Sequence, residues 1–281
     1  MTHASPAAAI AVLVALVGVV TMLAPAAARA EAGDPLTDRV SVDVGTFLLD
    51  TSTRIRIDGQ GEGARGTEID AERELGFHDR DSLRVDAYWR FAERHKARIV
   101  YFDTTRSTSK AIERDIRVRD TVFPVSAEVS SRMETEVAEI AYEYAFLRGN
   151  RYEVGASLGI HNLRFRLSMS ATENLSGQTV AQAQTADADG PLPVIGLHGV
   201  WRLGDRFFLD GQAQFFKISL NPYDGRLEDY TVSLVWMPFK HVGIGAGYNE
   251  FVTRVDVDAA DFTGRLRWRY SGARLFINAS F

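Results

Sequence analysis

Apolar side chains occupy every second position along four separate stretches, and that spacing confines those stretches to β-strands. Leu83, Val85, Ala87, Trp89 and Phe91 alternate with Arg84, Asp86, Tyr88 and Arg90. Ala138, Ile140, Tyr142, Tyr144 and Phe146 alternate with Glu139, Ala141, Glu143 and Ala145. Tyr152, Val154, Ala156, Leu158 and Ile160 alternate with Glu153, Gly155, Ser157, Gly159 and His161. Val242, Ile244, Ala246 and Tyr248 alternate with Gly243, Gly245, Gly247 and Asn249. Successive strand residues point to opposite faces, so each stretch carries one apolar face and one small, polar or charged face. In a soluble sandwich the apolar face looks into a core. In a transmembrane barrel it looks at lipid, and the polar face lines the lumen.

Three features favour the barrel. Apolar stretches end in aromatics beside short turns, as at Trp89-Arg90-Phe91, Tyr144–Leu147, Trp201–Leu203 and Trp236-Met237. Interfacial aromatic girdles have this form. Short turns alternate with long polar connections around 109–133 and 168–190, as periplasmic turns alternate with external loops. The third feature is the N-terminus. Ala7 to Leu23 is almost wholly Ala, Val, Leu and Ile, and Ala28-Arg29-Ala30 follows as a small-x-small cleavage site. That is a signal-peptide layout, although Met1-Thr2-His3 lacks the usual Lys or Arg. Residues 1–30 are therefore expected to be a signal peptide, 31–39 a periplasmic segment and 40–281 the outer-membrane barrel.

Composition removes several function classes. With no cysteine there is no disulfide and no acylated lipoprotein anchor, and six histidines without Cys partners do not suggest structural zinc. A net charge of −5 gives no overall attraction to nucleic acid. No catalytic motif, cofactor site or metal site is expected. Gly243-x-Gly245-x-Gly247 lies within a period-2 strand, not at a strand-to-helix turn, so it is no dinucleotide fingerprint. Its small residues would instead leave room for bulky side chains from opposite strands.

The fold class expected is all-β, an antiparallel up-and-down transmembrane barrel of about ten strands. They fall near 40–57, 80–91, 96–108, 134–147, 152–167, 191–203, 206–219, 226–238, 241–257 and 261–281. Both chain ends of such a barrel lie in the periplasm, so the strand number is even. That requirement joins 261–281 into one descending strand. Its outward set would run Phe262, Gly264, Leu266, Trp268, Tyr270, then change parity to Leu275, Ile277, Ala279, Phe281. A β-bulge at Ser271-Gly272 would produce that slip. Residues 66–78 either extend the second strand or form one of their own, which leaves twelve strands open.

The last nine residues, Ala273 to Phe281, resemble the C-terminal signal of bacterial outer-membrane proteins, with Leu275, Ile277, Ala279 and Phe281 at alternate positions. That resemblance implies the barrel-assembly machinery as a partner during biogenesis. More broadly, residues 37–281 resemble small, uncharacterised proteobacterial outer-membrane barrels. The segments carrying this are 66–70 (Gly-Thr-Glu-Ile-Asp), 120–124 (Asp-Thr-Val-Phe-Pro), 191–194 (Pro-Leu-Pro-Val) and 241–249. The resemblance implies architecture and an outer-membrane location, and no chemistry.

Two constellations could carry function. Arg84, Asp86, Arg90, Glu139, Glu143, Glu153, His161, His198, Arg202, Asp210, Gln212 and Gln214 are expected to face the lumen. They are either a packed network of paired charges or the lining of a narrow, porin-like pore. At the outer strand ends, Arg54, Arg56, Arg117, Arg119, Arg164, Arg166, Arg265 and Arg267 could bind lipopolysaccharide phosphates or pair with nearby acids. The partners expected are thus outer-membrane lipid and lipopolysaccharide. The function expected is a non-enzymatic membrane barrel, structural, surface-interacting or pore-forming. Two alternatives stand beside it: an outer-membrane enzyme, lipid-modifying or protease-like, with a His/acid site at the barrel rim, and a soluble periplasmic barrel.

Overall fold

The structure, a computed structural model, describes residues 33–59, 64–175, 178–220, 223–258 and 263–281. The expected signal peptide, residues 1–30, lies outside the described residues. Among the described residues, ten long strands form one antiparallel ring: β1 (Val40–Ile57), β3 (Ser82–Ala92), β4 (His95–Ala111), β7 (Glu128–Arg148), β8 (Tyr152–Leu175), β9 (Gln178–Arg202), β10 (Phe207–Leu220), β11 (Tyr223–Trp236), β12 (Val242–Asp258) and β13 (Thr263–Ser280). Each pairs with its sequence neighbour in the ring, and β13 closes on β1 from Ser41↔Ser280 to Ile57↔Gly264. Four small elements sit above this ring: β2 (Ile69–Asp70), the helix α1 (Ala71–Glu74), β5 (Ile116–Val118) and β6 (Thr121–Phe123). The segment 66–78 thus adds no ring strand, and the count is ten.

Following cross-strand partners once around the ring fixes its tilt. The row runs from Ser52 through Arg269, Val252, Glu228, Phe215, Ile195, Leu158, Tyr142, Ala97 and Trp89. It returns to β1 at Val40, twelve residues below its start. A stagger of this kind is what tilts strands to about 35–45° in a closed barrel. The row also winds from polar Ser52 and Arg269 down into apolar Ile195, Leu158 and Trp89.

The outer face of the lower half is apolar. Leu83, Ile140, Leu158, Ile195, Leu197, Val232, Ile244, Leu275 and Ile277 are all exposed. Aromatics cluster at the end where the turns are short: Trp89, Phe91, Tyr144, Trp201, Phe207, Trp236 and Phe281. Phe207 stacks on Trp236 at 6.4 Å, and His241 on Phe281 at 4.7 Å. Such a belt is stable against lipid and would be unfavourable against water, so this half spans the membrane.

Above the belt the two faces exchange character. On β8 the inward set changes from Glu153, Ser157 and His161 to Leu163, Phe165, Leu167 and Met169, all buried. The outward set changes from Leu158 and Ile160 to Asn162, Arg164, Arg166 and Ser168. Lipid no longer covers the outside there, so apolar side chains gain by turning inward.

This exchange corrects the expected bulge. Partners on β13 follow β1 without interruption through Asp50↔Ser271 and Leu49↔Gly272. Trp268 and Tyr270 point inward and are 2% and 1% exposed, while Leu275 and Ile277 point outward on unchanged parity. The apolar set moved from one face to the other because the surroundings changed, not because the backbone slipped. Bulges occur instead at the short-turn end, between Arg90 and Ala92 and between Ala145 and Leu147. The connections expected at 109–133 and 168–190 are corrected too. β8 and β9 pair continuously to Leu175↔Gln178, and only part of 109–133 is loop. Over this stretch the outer face carries Ser168, Ser170, Thr185 and Asp187, and the inner face of β9 carries Gln182, Gln184, Ala186 and Ala188, which hides the usual apolar alternation.

Above Phe47, β3 no longer pairs with β1. Segment 64–81 supplies the missing partners. Thr51 N–H donates to Asp79 Oδ1 (2.9 Å), Thr53 N–H to Glu72 Oε2 (2.7 Å), and β2 pairs with Arg54 and Ile55. An open edge is thereby covered, as a buried backbone demands.

A single-tryptophan protein retaining Trp268, with Trp89, Trp201 and Trp236 changed to Phe, tests the parity. In vesicles containing brominated acyl chains its emission should be unquenched, whereas a Trp201-only protein should be strongly quenched. Quenching of Trp268 would restore the bulge.

Candidate functional site: the barrel interior

The lower opening is closed by the chain that enters it. Thr37 and Asp38 donate their N–H groups to the Asp34 carbonyl at 2.8 Å, which curls residues 34–38 into a turn. Side chains from the wall hold that turn by its carbonyls. Arg148 Nη2 reaches Leu36 O (2.5 Å), Arg90 Nη2 and Tyr88 Oη reach Pro35 O (3.2 and 3.3 Å), and Arg90 Nε reaches Asp38 O (3.2 Å). Arg202 pairs with Asp34. Leu36 is buried, and burial pushes the Asp38 carboxyl above the ordinary carboxylate range.

Over this floor lies a layer of ion pairs. Glu153, fully buried, meets three cations: Arg90 Nη1 at 2.7 Å, Lys96 Nζ at 2.5 Å and Arg148 Nε at 3.0 Å. Glu143, also fully buried, accepts from Arg98 Nε at 2.5 Å. Asp86 takes Arg84 Nε at 3.0 Å and Arg274 Nη2 at 2.8 Å. From Arg84 the network continues through Asn249 Oδ1 (2.7 Å), and Asn249 Nδ2 donates to Asp229 Oδ1 (2.5 Å). A further cluster joins Gln214 Nε2 to Glu139 Oε1 (2.6 Å) and His161 Nε2 to Gln214 Oε1 (2.7 Å). Buried charges persist only when partnered in this way.

Aromatic side chains fill the next level. Phe47, Phe102 and Tyr270 meet edge to face with centroids 5.2–5.6 Å apart, Phe251 stacks on Tyr270 at 4.8 Å, and Phe165 meets Trp268 at 4.6 Å. Above these, Ile69, Leu75 and Phe77 from the α1 segment and Ile116, Val118 and Phe123 from the β5–β6 hairpin cover Met133, Leu167 and Met169 of the wall. Arg106 ties this lid down, with Nη1 on Glu72 Oε1 at 2.8 Å.

All twelve residues expected in the lumen point inward. The structure brings together Arg84 with Asp86, Arg90 with Glu153, and Glu139 with Gln214 and His161. His198 stands 3.7 Å from Glu143 and 3.9 Å from Glu153. Gly155 is the residue across from it, and a Cβ there would fall 2.3 Å from His198 Cε1. Asp210 and Gln212 join none of these pairs and line a void of about 40 Å³ with Asp43, Arg98 and Arg274. Arg202 departs for the floor. Sequence reasoning missed Lys96, Arg98, Arg148, Asp229, Asn249 and Arg274. Inward parity on β4 would have found Lys96 and Arg98, since both alternate with Ala97 and Ile99.

Of the small residues 243, 245 and 247, Gly245 lies where a Cβ would strike the Phe276 ring at 2.0 Å. Room is made for a neighbouring strand's side chain, not an opposite one. Glu139, His161 and Asp229 place one ligand atom each within 4.8 Å of one another, all buried. That donor set suits a borderline divalent cation such as zinc. A bound ion would have to displace Gln214, whose amide already serves both Glu139 and His161.

The expected rim divides. Arg54, Arg56, Arg164, Arg166, Arg265 and Arg267 lie on the outer face of the wall. Arg117 and Arg119 belong to the lid through their backbone: Arg117 N–H donates to Thr67 Oγ1 (2.9 Å) and Arg119 N–H to Ile57 O (3.1 Å). At the other end, Phe281 N–H donates to Val40 O (2.9 Å), and Val40 N–H returns the bond at 3.0 Å.

No family model and no curated protein matches the chain, so the resemblance to small proteobacterial barrels gains no sequence-family support. Solved structures similar to it are outer-membrane proteins. The Pseudomonas putida toluene transporter TodX shares 9% identity over 89% of this chain and 93% of that one, with a TM-score of 0.34. OprG from Pseudomonas aeruginosa shares 11% identity over 90% and 98%, with a TM-score of 0.36. AlkL, solved in lipid bilayers, shares 8% identity over 92% and 96%, with a TM-score of 0.38. At these values the likeness carries no functional argument.

Glu153→Gln leaves three cations around one neutral amide, and removing one partner of a buried pair costs about 3–5 kcal/mol. Urea unfolding from vesicles should show that loss, and adding Lys96→Met should recover part of it. A cost below about 1 kcal/mol would indicate a hydrated site.

Proposed function

We propose that the protein is a non-enzymatic barrel of the outer membrane, plugged rather than porous, whose exposed upper half and outer face do its work. The filling of the interior at four successive levels carries this reading: floor, ion pairs, aromatics and lid. A pore needs a continuous water path. The void beside Asp210 and Arg274, at about 40 Å³, has room for about one or two waters. Residues 1–30 are read as the export signal, and the closing strand with Phe281 as the contact for the barrel-assembly machinery.

The same filling weighs against the enzyme reading. His161 and Glu139 stand 3.6 Å apart with Gln214 bound to both, and His198 is 3.7 Å from Glu143. Both sites are sealed between the floor and the aromatic layer, where no substrate can reach them. The upper wall, by contrast, is freely accessible. β8 runs from Asn162 to Leu175 beyond the lipid-facing belt, roughly 40 Å of chain at about 3.3 Å per residue.

Cell fractionation and planar-bilayer recording test this reading together. The protein should appear in the detergent-extracted outer-membrane fraction, and the purified barrel should give no sustained ionic current. Recovery from the periplasm without detergent would refute the location, and reproducible unitary conductance would refute the plug.

A further inference from the structure

Four arginines lie side by side on the outer face, one on each of four adjacent strands. Arg226 on β11 is directly opposite Arg254 on β12, Arg254 opposite Arg267 on β13, and Arg267 opposite Arg54 on β1. Neighbouring strands are about 4.8 Å apart, so the row spans roughly 14 Å. Like charges directly opposite one another are destabilising, and a row of four needs a compensating anion.

Acids of the protein supply only part of it. Arg226 pairs with Glu228, and Arg54 with Asp70 at 3.7 Å. The two middle arginines, Arg254 and Arg267, have no carboxylate partner among the described residues, and Arg267 Nε is buried without a hydrogen bond. The opposite wall is arranged otherwise. There the directly opposed residues are Arg164 with Glu136 and Asp189, and Arg166 with Glu134 and Asp187. Arg166 Nε reaches Asp187 Oδ1 at 2.5 Å, and Arg164 Nη1 reaches Glu136 Oε2 at 3.2 Å. That wall neutralises itself. On the wall of β11, β12, β13 and β1, Arg265 pairs with Asp256 and Arg269 with Glu250, but the two middle arginines of the row have no such partner among the described residues.

Height identifies the missing anion. Directly below the row on these same strands come Glu228, Val252, Arg269 and Ser52, then Tyr230, Glu250, Ser271 and Asp50. The next row down, Val232, Tyr248, Ala273 and Leu48, already belongs to the lipid-facing belt. The arginine row descends with the stagger of the barrel, from Arg54 at its top to Arg226 at its foot. Its guanidinium groups therefore stand where lipid head groups end, and long arginine stems extend readily along such a boundary. Phosphate oxygens match the guanidinium fork.

Resting on the outer-membrane reading proposed above, we infer that Arg54, Arg226, Arg254 and Arg267 form a binding row for the phosphate groups of an outer-leaflet lipopolysaccharide, with Arg254 and Arg267 as its centre. A lipid bearing phosphates at both ends of its head group would bridge the row, and the barrel would take up a preferred face toward it.

The test uses the full mature barrel in detergent micelles, with native mass spectrometry reading bound lipid. The probes are bis-phosphorylated lipid A, the same lipid with its phosphates removed, and inorganic phosphate as competitor. Arg254→Gln with Arg267→Gln should weaken lipid A binding by on the order of tenfold or more, as expected for the loss of hydrogen bonds to a charged group. Arg164→Gln with Arg166→Gln should leave it within about twofold, as expected for arginines already neutralised across the strand. Dephosphorylated lipid should bind wild type no better than the double variant does. Arg254→Lys with Arg267→Lys, which keeps charge but not the fork, should fall between them and guards against a folding defect. Unchanged affinity in the Gln pair, equal loss in the control pair, or displacement by millimolar inorganic phosphate would each overturn the assignment.

Discussion

A closed ring of strands has one inner and one outer face, and the surroundings of the outer face change partway along every strand. Each consequence of the structure follows from that change. Where lipid covers the outside, apolar side chains belong outside, and the inner face is left to polar groups. Where water covers the outside, the hydrophobic effect acts again, and the inner face becomes the apolar one. One strand, β8, thus carries Leu158 outside and His161 inside below the boundary, then Arg166 outside and Leu167 inside above it. Strand register is identical on both sides of that boundary.

The two halves are held by different forces. In the upper half, Phe47, Phe102, Trp268 and Tyr270 with the lid above them form an ordinary core, stabilised by burial and by edge-to-face ring contacts. In the lower half, neither face offers that gain, since lipid is as apolar as the side chains it replaces. There the buried charges have to find their partners inside the barrel. Asp86 serves Arg84 and Arg274, and Glu153 serves Arg90, Lys96 and Arg148. The surplus of cations around Glu153 explains why the entering chain is bound by its carbonyls. Leu36 and Pro35 offer acceptors to the Nη2 groups of Arg148 and Arg90.

Much of this was legible in the sequence, and the failures share one cause. Alternation and the even-number requirement placed the ten strands of the ring. It could not separate a parity slip from a change of surroundings. Apolar residues at 266, 268 and 270 followed by 275, 277 and 279 fit either, and only the unbroken partnering of β13 with β1 decides between them. The same blindness turned the upper parts of β8 and β9 into loops, because Ser168, Ser170, Gln182 and Gln184 read as polar connection when lipid-facing apolar residues are sought. Lys96 and Arg98 were overlooked for a different reason. They follow a short turn, where basic residues are expected at the surface, yet parity sends them inward to Glu153 and Glu143.

The upper outer face is the one surface that neither core accounts for, and its two sides obey different rules. On β7, β8 and β9 the cross-strand neighbours of Arg164 and Arg166 are acids, so these arginines carry their own counter-charges and are indifferent to what lies beside them. On β11, β12, β13 and β1 arginine meets arginine across three successive strand pairs. A face of that kind is least favourable when bare and gains most from an anionic neighbour at the same height. Strand pairing alone produces this asymmetry, since each residue's level is fixed by the register that closes the ring. The barrel therefore has a front and a back with respect to its surroundings, set by the same twelve-residue stagger that fills its interior.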